Sequence, residues 1–212
     1  IGLLIPSIDN PYFATIASEI VFEAKRYGYT VILLDTLEDE GNESECINTL
    51  LTRSIDGIIL VPCGERPESL EKIDEQTPID RYFEDTSLSY ICTDNYRGAL
   101  DGVKLLIENG HKEILCIRGV PHSMPSKERV KGYIDALRES GFDTRSRIAG
   151  NDYSITNGYL ETKLAIGSPA RPTAIFALSN TIMLGAIRAI GVSTSLPAVM
   201  IRSANSSTTT TI

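Results

Sequence analysis

Histidine is scarce in this 212-residue chain, with only His111 and His122, and its four cysteines, Cys46, Cys63, Cys92 and Cys116, lie far apart with no C-x-x-C pair. No H-E-x-x-H string is present either, so no transition-metal site is expected. The thiols read as reduced core residues, with Cys92 and Cys116 inside apolar strand-like runs. Also missing are G-x-G-x-x-G after the first apolar run, G-x-x-x-x-G-K-[ST] and G-x-S-x-G. Those glycine-framed loops cradle phosphates or present a nucleophilic serine. His111 sits in a Gly-His-Lys turn and His122 in a loop, and the carboxylates fall on helix faces where solvated charge is the default. No catalytic residue, cofactor or enzyme activity is therefore expected. Long hydrophobic stretches are lacking too. The longest apolar runs, such as residues 57–62, fall far short of the roughly 20 residues a membrane-spanning helix needs, so no membrane partner is expected. Clustered positive charge is absent: the 20 basic residues are scattered and the net charge is −8. Such a balance argues against this segment itself gripping nucleic acid. No basic segment followed by an apolar stretch opens the chain, so no secretory signal is expected within it. Because the chain begins inside a strand-like run, an upstream leader or further domain is expected. The reduced thiols point to the cytoplasm.

What is present is a regular rhythm, in a chain that is 42% apolar. Residues 1–6 read as a buried strand and 11–27 as a helix with Phe13, Ile16, Ala17, Ile20 and Ala24 on one face, stopped at Gly28. A strand at 30–34, a helix at 43–54 and a strand at 55–61 follow, then a helix at 67–76 and a short extended piece at 78–81. The rhythm restarts with a strand at 88–93, a helix at 96–108 closed by Asn109-Gly110, and a strand at 113–117. A helix at 126–140 follows, with Ser126 and Arg129 in its first turn and Gly141 as its stop. After a strand at 147–149 comes a helix at 156–167 with Thr156 as N-cap, a buried strand at 174–178 and a helix at 180–190. Residues 198–202 form one strand-like run, and 203–212 are a Ser/Thr tail without core-forming content. Strands alternating with amphipathic helices imply βαβ units and mostly parallel, doubly wound sheets. Two similar α/β lobes joined near residues 80–95 are the simplest architecture.

Three places carry candidate binding chemistry. Ligands of open α/β sheets bind beyond the carboxyl ends of strands. There, after the first strand, Asn10 can hydrogen-bond hydroxyls and Tyr12 or Phe13 offers an aromatic face; the alternative is an ordinary helix cap with Phe13 in the core. Asp80 and Arg81 place an acid beside a base at a strand end, a pair suited to adjacent hydroxyls of a polyol, or else a solvated surface pair. Arg129 near a helix start favours an oxygen-rich or anionic ligand, unless it is simply an exposed arginine.

Several strings, in order and in register over about residues 1–190, resemble the lactose-repressor (LacI/GalR) family of transcription regulators. They are Leu3-Leu4-Ile5-Pro6 with Asn10-Pro11-Tyr12-Phe13; Ile55-Asp56-Gly57-Ile58-Ile59; Thr93-Asp94-Asn95-Tyr96-Arg97-Gly98-Ala99 followed by Leu106-Ile107-Glu108-Asn109-Gly110-His111-Lys112; and Arg129-Val130-Lys131-Gly132-Tyr133. The third is the most specific. The resemblance implies an effector domain of periplasmic-binding-protein-like type I fold, two Rossmann-like lobes with parallel sheets around a sugar-binding cleft. It implies a first lobe of residues 1–80 with part of the C-terminal end, a second of 81–190, and a helix-turn-helix upstream. Asn10, Tyr12 and Phe13 would border the ligand, Asp80 and Arg81 would be the acid–base pair of sugar-binding members, Arg129 would reach the ligand and Tyr153 would stack on it. Where the family has asparagine, this chain has Ser179, a candidate ligand contact whose shorter side chain reaches less far. Two further departures, apolar residues missing between Pro78 and Ile79 and a strand missing after Ile190, suggest that segments are omitted at 78–79 and near 190–191. The implied partners are a small carbohydrate effector, operator DNA through the upstream domain, and a second copy in a homodimer. Cleft closure on the effector would change operator affinity. The alternative on the same fold is a periplasmic sugar-binding protein of an ABC transporter.

Overall fold

A computed structural model describes residues 1–63, 91–142, 147–191, 200–203 and 209–211. Its contacts divide the chain into two units, Ile1–Thr93 and Asp94–Ile212.

The first unit runs β1 (Gly2–Ile5), α1 (Pro11–Arg26), β2 (Ile32–Asp35), α2 (Glu40–Leu51) and β3 (Ile58–Leu60). Its sheet has the order β2-β1-β3, with both pairings parallel. Side chains alternate across a strand, so β1 feeds two cores. Leu3 and Ile5 pack with Ala17 of α1 and Val61, whereas Leu4 meets Ile47 and Leu50 of α2 with Ile58 and Leu60. A sheet buried on both faces explains why these strands read as unbroken apolar runs. Helix α2 begins three residues before the expected 43, because Asp39 caps it by accepting from the Asn42 backbone N–H at 2.7 Å.

The second unit runs α3 (Asn95–Glu108), β4 (Ile114–Ile117), α4 (Met124–Glu139), β5 (Arg147–Ala149), α5 (Ile155–Gly167), β6 (Ala174–Ala177), α6 (Asn180–Gly191), β7 (Met200–Ser203) and β8 (Thr209–Thr211). Its sheet order is β5-β4-β6-β7-β8, parallel except for the antiparallel β7–β8 pair. One face carries α3 and α4, through Val103, Leu106, Tyr133 and Ala136 against Cys116 and Phe176. The other carries α6, through Ile182, Ala186 and Ile190 against Leu115, Ile117 and Ile175. Helices α5 and α6 meet at glycines: a Cβ on Gly158 would lie 2.1 Å from the Ile182 carbonyl, and one on Gly185 2.1 Å from that of Ile155.

Several expectations need revision. The Ser/Thr tail contains β8, whose backbone pairs with β7, since strand ladders need only backbone donors and acceptors. Strands β7 and β8 extend the second unit's sheet, and the units divide at Thr93. Ser154, not Thr156, caps α5, its hydroxyl accepting from the Asn157 N–H at 3.0 Å. Helix α4 starts two residues early, leaving Arg129 beyond the first turn. Residues 91–93 belong to no strand, and Cys92 is exposed where a core thiol was expected. Of the four cysteines only Cys116 is buried, and burial pushes its thiol pKa up. The expected helix at 67–76, the extended piece at 78–81 and the 78–79 junction lie outside the described residues, as do residues 192–199; α6 runs unbroken through Gly191.

Candidate functional site

In the second unit, three sequence-selected residues meet at the carboxyl ends of β4, β5 and β6. Arg129 projects from α4. Its Nε donates to Asn95 Oδ1 at 2.8 Å and its guanidinium also donates to the Leu178 carbonyl, just past the end of β6. Two bonds from a planar donor fix the guanidinium's orientation. Tyr153, in the segment between β5 and α5, has its ring over Gly119, where an added Cβ would fall 2.0 Å from Cε1. Its hydroxyl is 2.9 Å from Ser123 Oγ. Since Ser123 donates its proton to the Val120 carbonyl, Tyr153 is the donor in that pair. Ser123 occupies the N-cap of α4 yet makes no side-chain cap. The helix-start hydroxyl is thereby diverted to hold an aromatic ring.

Ser179 is buried and caps α6, accepting from the Ile182 N–H at 3.2 Å. Thr181 gives its proton to the Tyr153 carbonyl, so the 2.9 Å contact between the two hydroxyls has Ser179 as donor. The Ser179 proton is therefore already used within the protein. Asn157 completes the arrangement. It is buried, and its Nδ2 donates to the carbonyls of Arg118 and Asp152, at 3.2 and 2.6 Å. A buried amide satisfied on both sides ties the segment carrying Tyr153 to the end of β4. Ser126, which the sequence placed at the helix start, has its hydroxyl enclosed without a hydrogen-bond partner.

In the first unit, Asn10 caps α1: its Oδ1 accepts from the Tyr12 N–H at 3.1 Å. The Tyr12 and Phe13 rings meet edge to face with centroids 5.2 Å apart. Phe13 packs against the core of Leu3, Ile5, Ala17 and Val61, the alternative role its spacing had left open. Asp80 and Arg81 lie outside the described residues.

A family model described as periplasmic binding proteins and the sugar-binding domain of the LacI family matches residues 1–198. The chain belongs to this family. The HTH-type transcriptional repressor CytR of Escherichia coli strain K12 is 32% identical over 193 residues, which cover 87% of this chain and 56% of that protein. Catabolite control protein A of Priestia megaterium is 31% identical, over 88% of this chain and 58% of its own length. The chain thus spans little more than half the length of these curated relatives. The Cra transcriptional dual regulator from Pseudomonas putida, solved in complex with fructose 1-phosphate, aligns with a TM-score of 0.84 over 95% of this chain and 84% of that one; at 18% identity the likeness is one of fold.

In this LacI-family domain, sequence reasoning selected Arg129, Tyr153 and Ser179 but missed what holds them. Asn95 stood within a quoted string without a role, although an amide one residue past an Asp helix cap is well placed to orient a neighbour. Ser123, Asn157 and Thr181 carried no distinguishing signal, since their partners are 30, 39 and 28 residues away in sequence. Among the described residues no group of three or more metal-ligating side chains gathers, and no helix is long and apolar enough to cross a membrane.

Proposed function

We propose that this chain is the effector-binding core of a cytoplasmic transcription regulator, recognising a small carbohydrate and transmitting its presence to operator DNA through a domain outside the sequence described. The single observation carrying the reading is the convergence of Arg129 and Tyr153 at the carboxyl edge of the second sheet, both pre-oriented by hydrogen bonds. A guanidinium held by Asn95 and Leu178 presents donors in fixed geometry, and an aromatic ring offers a face to the apolar side of a sugar. Such pre-organisation raises affinity by lowering the ordering cost of binding. Asn10 and Tyr12 are the proposed contacts of the first unit, with Phe13 lending its edge from the core. The matched relatives are transcription regulators, which favours this reading over a transporter-associated binding protein and over an enzyme. Effector binding then shifts a population between states of different operator affinity, by no more than its differential affinity for the two.

A homodimer is part of the proposal. Operators of such regulators are two-fold, and the outer face of α5 and α6 exposes Leu160, Leu164 and Leu184, beside a recess lined by Ile155, Thr156, Tyr159 and Arg188.

A panel of pentoses, hexoses and their phosphates, screened by thermal shift, tests the function. A ligand that binds only the native state, at about 100 times its dissociation constant, stabilises by about 2.7 kcal/mol, enough to raise the melting temperature by several degrees. Against the responding sugar, Arg129→Ala should weaken calorimetric affinity by at least about tenfold, a loss of about 1.4 kcal/mol. Equal affinity in the variant would remove Arg129 from the site, and a panel without any response would remove the carbohydrate.

A further inference from the structure

Segment 35–39 of the first unit is built in an unusual way. Leu37 and Glu38 are consecutive non-glycine residues in the left-handed region, each with φ 56°. That conformation is costly for a side chain with a Cβ and persists only where its surroundings enforce it. Burial does not explain it, since Leu37 is 70% exposed. What the turn achieves is hydrogen bonding. The Leu37 N–H donates to Asp35 Oδ1 at 2.9 Å, and the Glu38 N–H donates to the Pro6 carbonyl at 2.8 Å. The other oxygen of the same carboxylate, Oδ2, accepts from the Ile8 N–H at 3.0 Å. Thr36 anchors the base of the turn through its N–H to the Ile5 carbonyl at 2.9 Å, and Asn42 Nδ2 reaches the Thr36 carbonyl at 3.2 Å. Two of the turn's bonds therefore cross to the Pro6–Ile8 stretch that leads into Asn10 and Tyr12.

We infer that Asp35 is a positioning residue for the loop between β1 and α1, and that the strained turn at Leu37 and Glu38 exists to brace that loop. The inference rests on the sensor reading for its purpose, because Asn10 and Tyr12 are proposed ligand contacts; the brace itself does not depend on any ligand. One carboxylate joins two loops. Removing it frees the Ile8 and Leu37 amides together, and the β1–α1 loop loses the support that fixes where Asn10 points. Leu37 itself contributes only its backbone, so its side chain is dispensable to the brace.

Amide hydrogen exchange on the ligand-free chain decides the tie. In Asp35→Ala, the amides of residues 7–10 and of 37–39 should exchange about tenfold faster or more, both sets together, with α3–α6 unchanged. Loosening confined to one of the two loops overturns the inference. Should the alanine variant fail to fold, Asp35→Asn, which keeps one acceptor oxygen, should still loosen at least one loop, and unchanged protection of both Ile8 and Leu37 would overturn it equally. Leu37→Gly, which relieves the strain but keeps the backbone bonds, should leave Ile8 protection at the wild-type level. Calorimetry with one pentose and one hexose, D-ribose and D-glucose, reads the purpose separately. If the wild-type chain binds either, Asp35→Asn should bind it about tenfold more weakly at a melting temperature within a few degrees of wild type; equal affinity with loosened loops would make the role purely structural and overturn positioning. If neither sugar binds, the sensor reading loses those ligands while the exchange result alone upholds or overturns the brace.

Discussion

Gly119 lies so close beneath the Tyr153 ring that even a methyl group has no room there. The ring is the movable partner, whereas Gly119 is held in the chain directly after β4, so a side chain at this position pushes Tyr153 away from Ser123. Gly119→Ala should therefore reduce affinity for a responding sugar by about tenfold, equivalent to about 1.4 kcal/mol. Its stability cost should stay within the 1–3 kcal/mol typical of overpacking. Calorimetry beside thermal melting separates the two effects, and an unchanged affinity would show that the ring is not a ligand surface. Arg129 was legible in the sequence as a conspicuous residue in a recognisable string, and Tyr153 only through the family resemblance. Gly119, Ser123 and Asn157 were not, because their importance lies in what another segment places against them.

At the scale of elements, the contact between α5 and α6 admits no Cβ at Gly158 or Gly185, since the obstacle on each side is backbone. Neither helix can yield without moving a whole element, so Gly158→Ala should destabilise the second unit by about 1–3 kcal/mol or more. A melting temperature at or above wild type would mean that the helices slide freely past one another. Helix and strand identities were readable because each element is a distinct apolar run with a clear period. Helix starts were less so. Asp39 and Ser154 cap through side-chain bonds to residues three further on, and several polar residues near each start offered competing caps. The β8 strand was invisible for another reason: a run of threonines has no hydrophobic period, and its pairing with β7 is a backbone matter.

At the scale of the molecule, each unit is a sheet, parallel but for the β7–β8 pair of the second, covered on both faces by helices, with its candidate residues at the carboxyl edge of its own strands. Leu164 is 70% exposed and Leu160 51%, although both sit on a helix that packs against α6 through Gly158. Apolar exposure of that kind marks contact surfaces. On the proposed homodimer, Leu164→Glu should therefore shift the mass towards that of a monomer in sedimentation or light scattering, without changing the fold of either unit by circular dichroism. An unchanged mass would move the dimer contact elsewhere, and a monomeric wild type would remove it from this chain.

The order of most strands and helices, the mostly parallel character of the sheets and the family were determined by the sequence alone, because local periodicity and short strings encode them. Which atoms hold Arg129 and Tyr153, which hydroxyl of the Ser179–Thr181 pair gives its proton to the other, and why Leu37 and Glu38 accept a left-handed backbone were decided only by tertiary structure. Each of those outcomes depends on a donor meeting an acceptor from a segment distant in sequence, and a hydrogen bond has no periodicity along the chain to announce it.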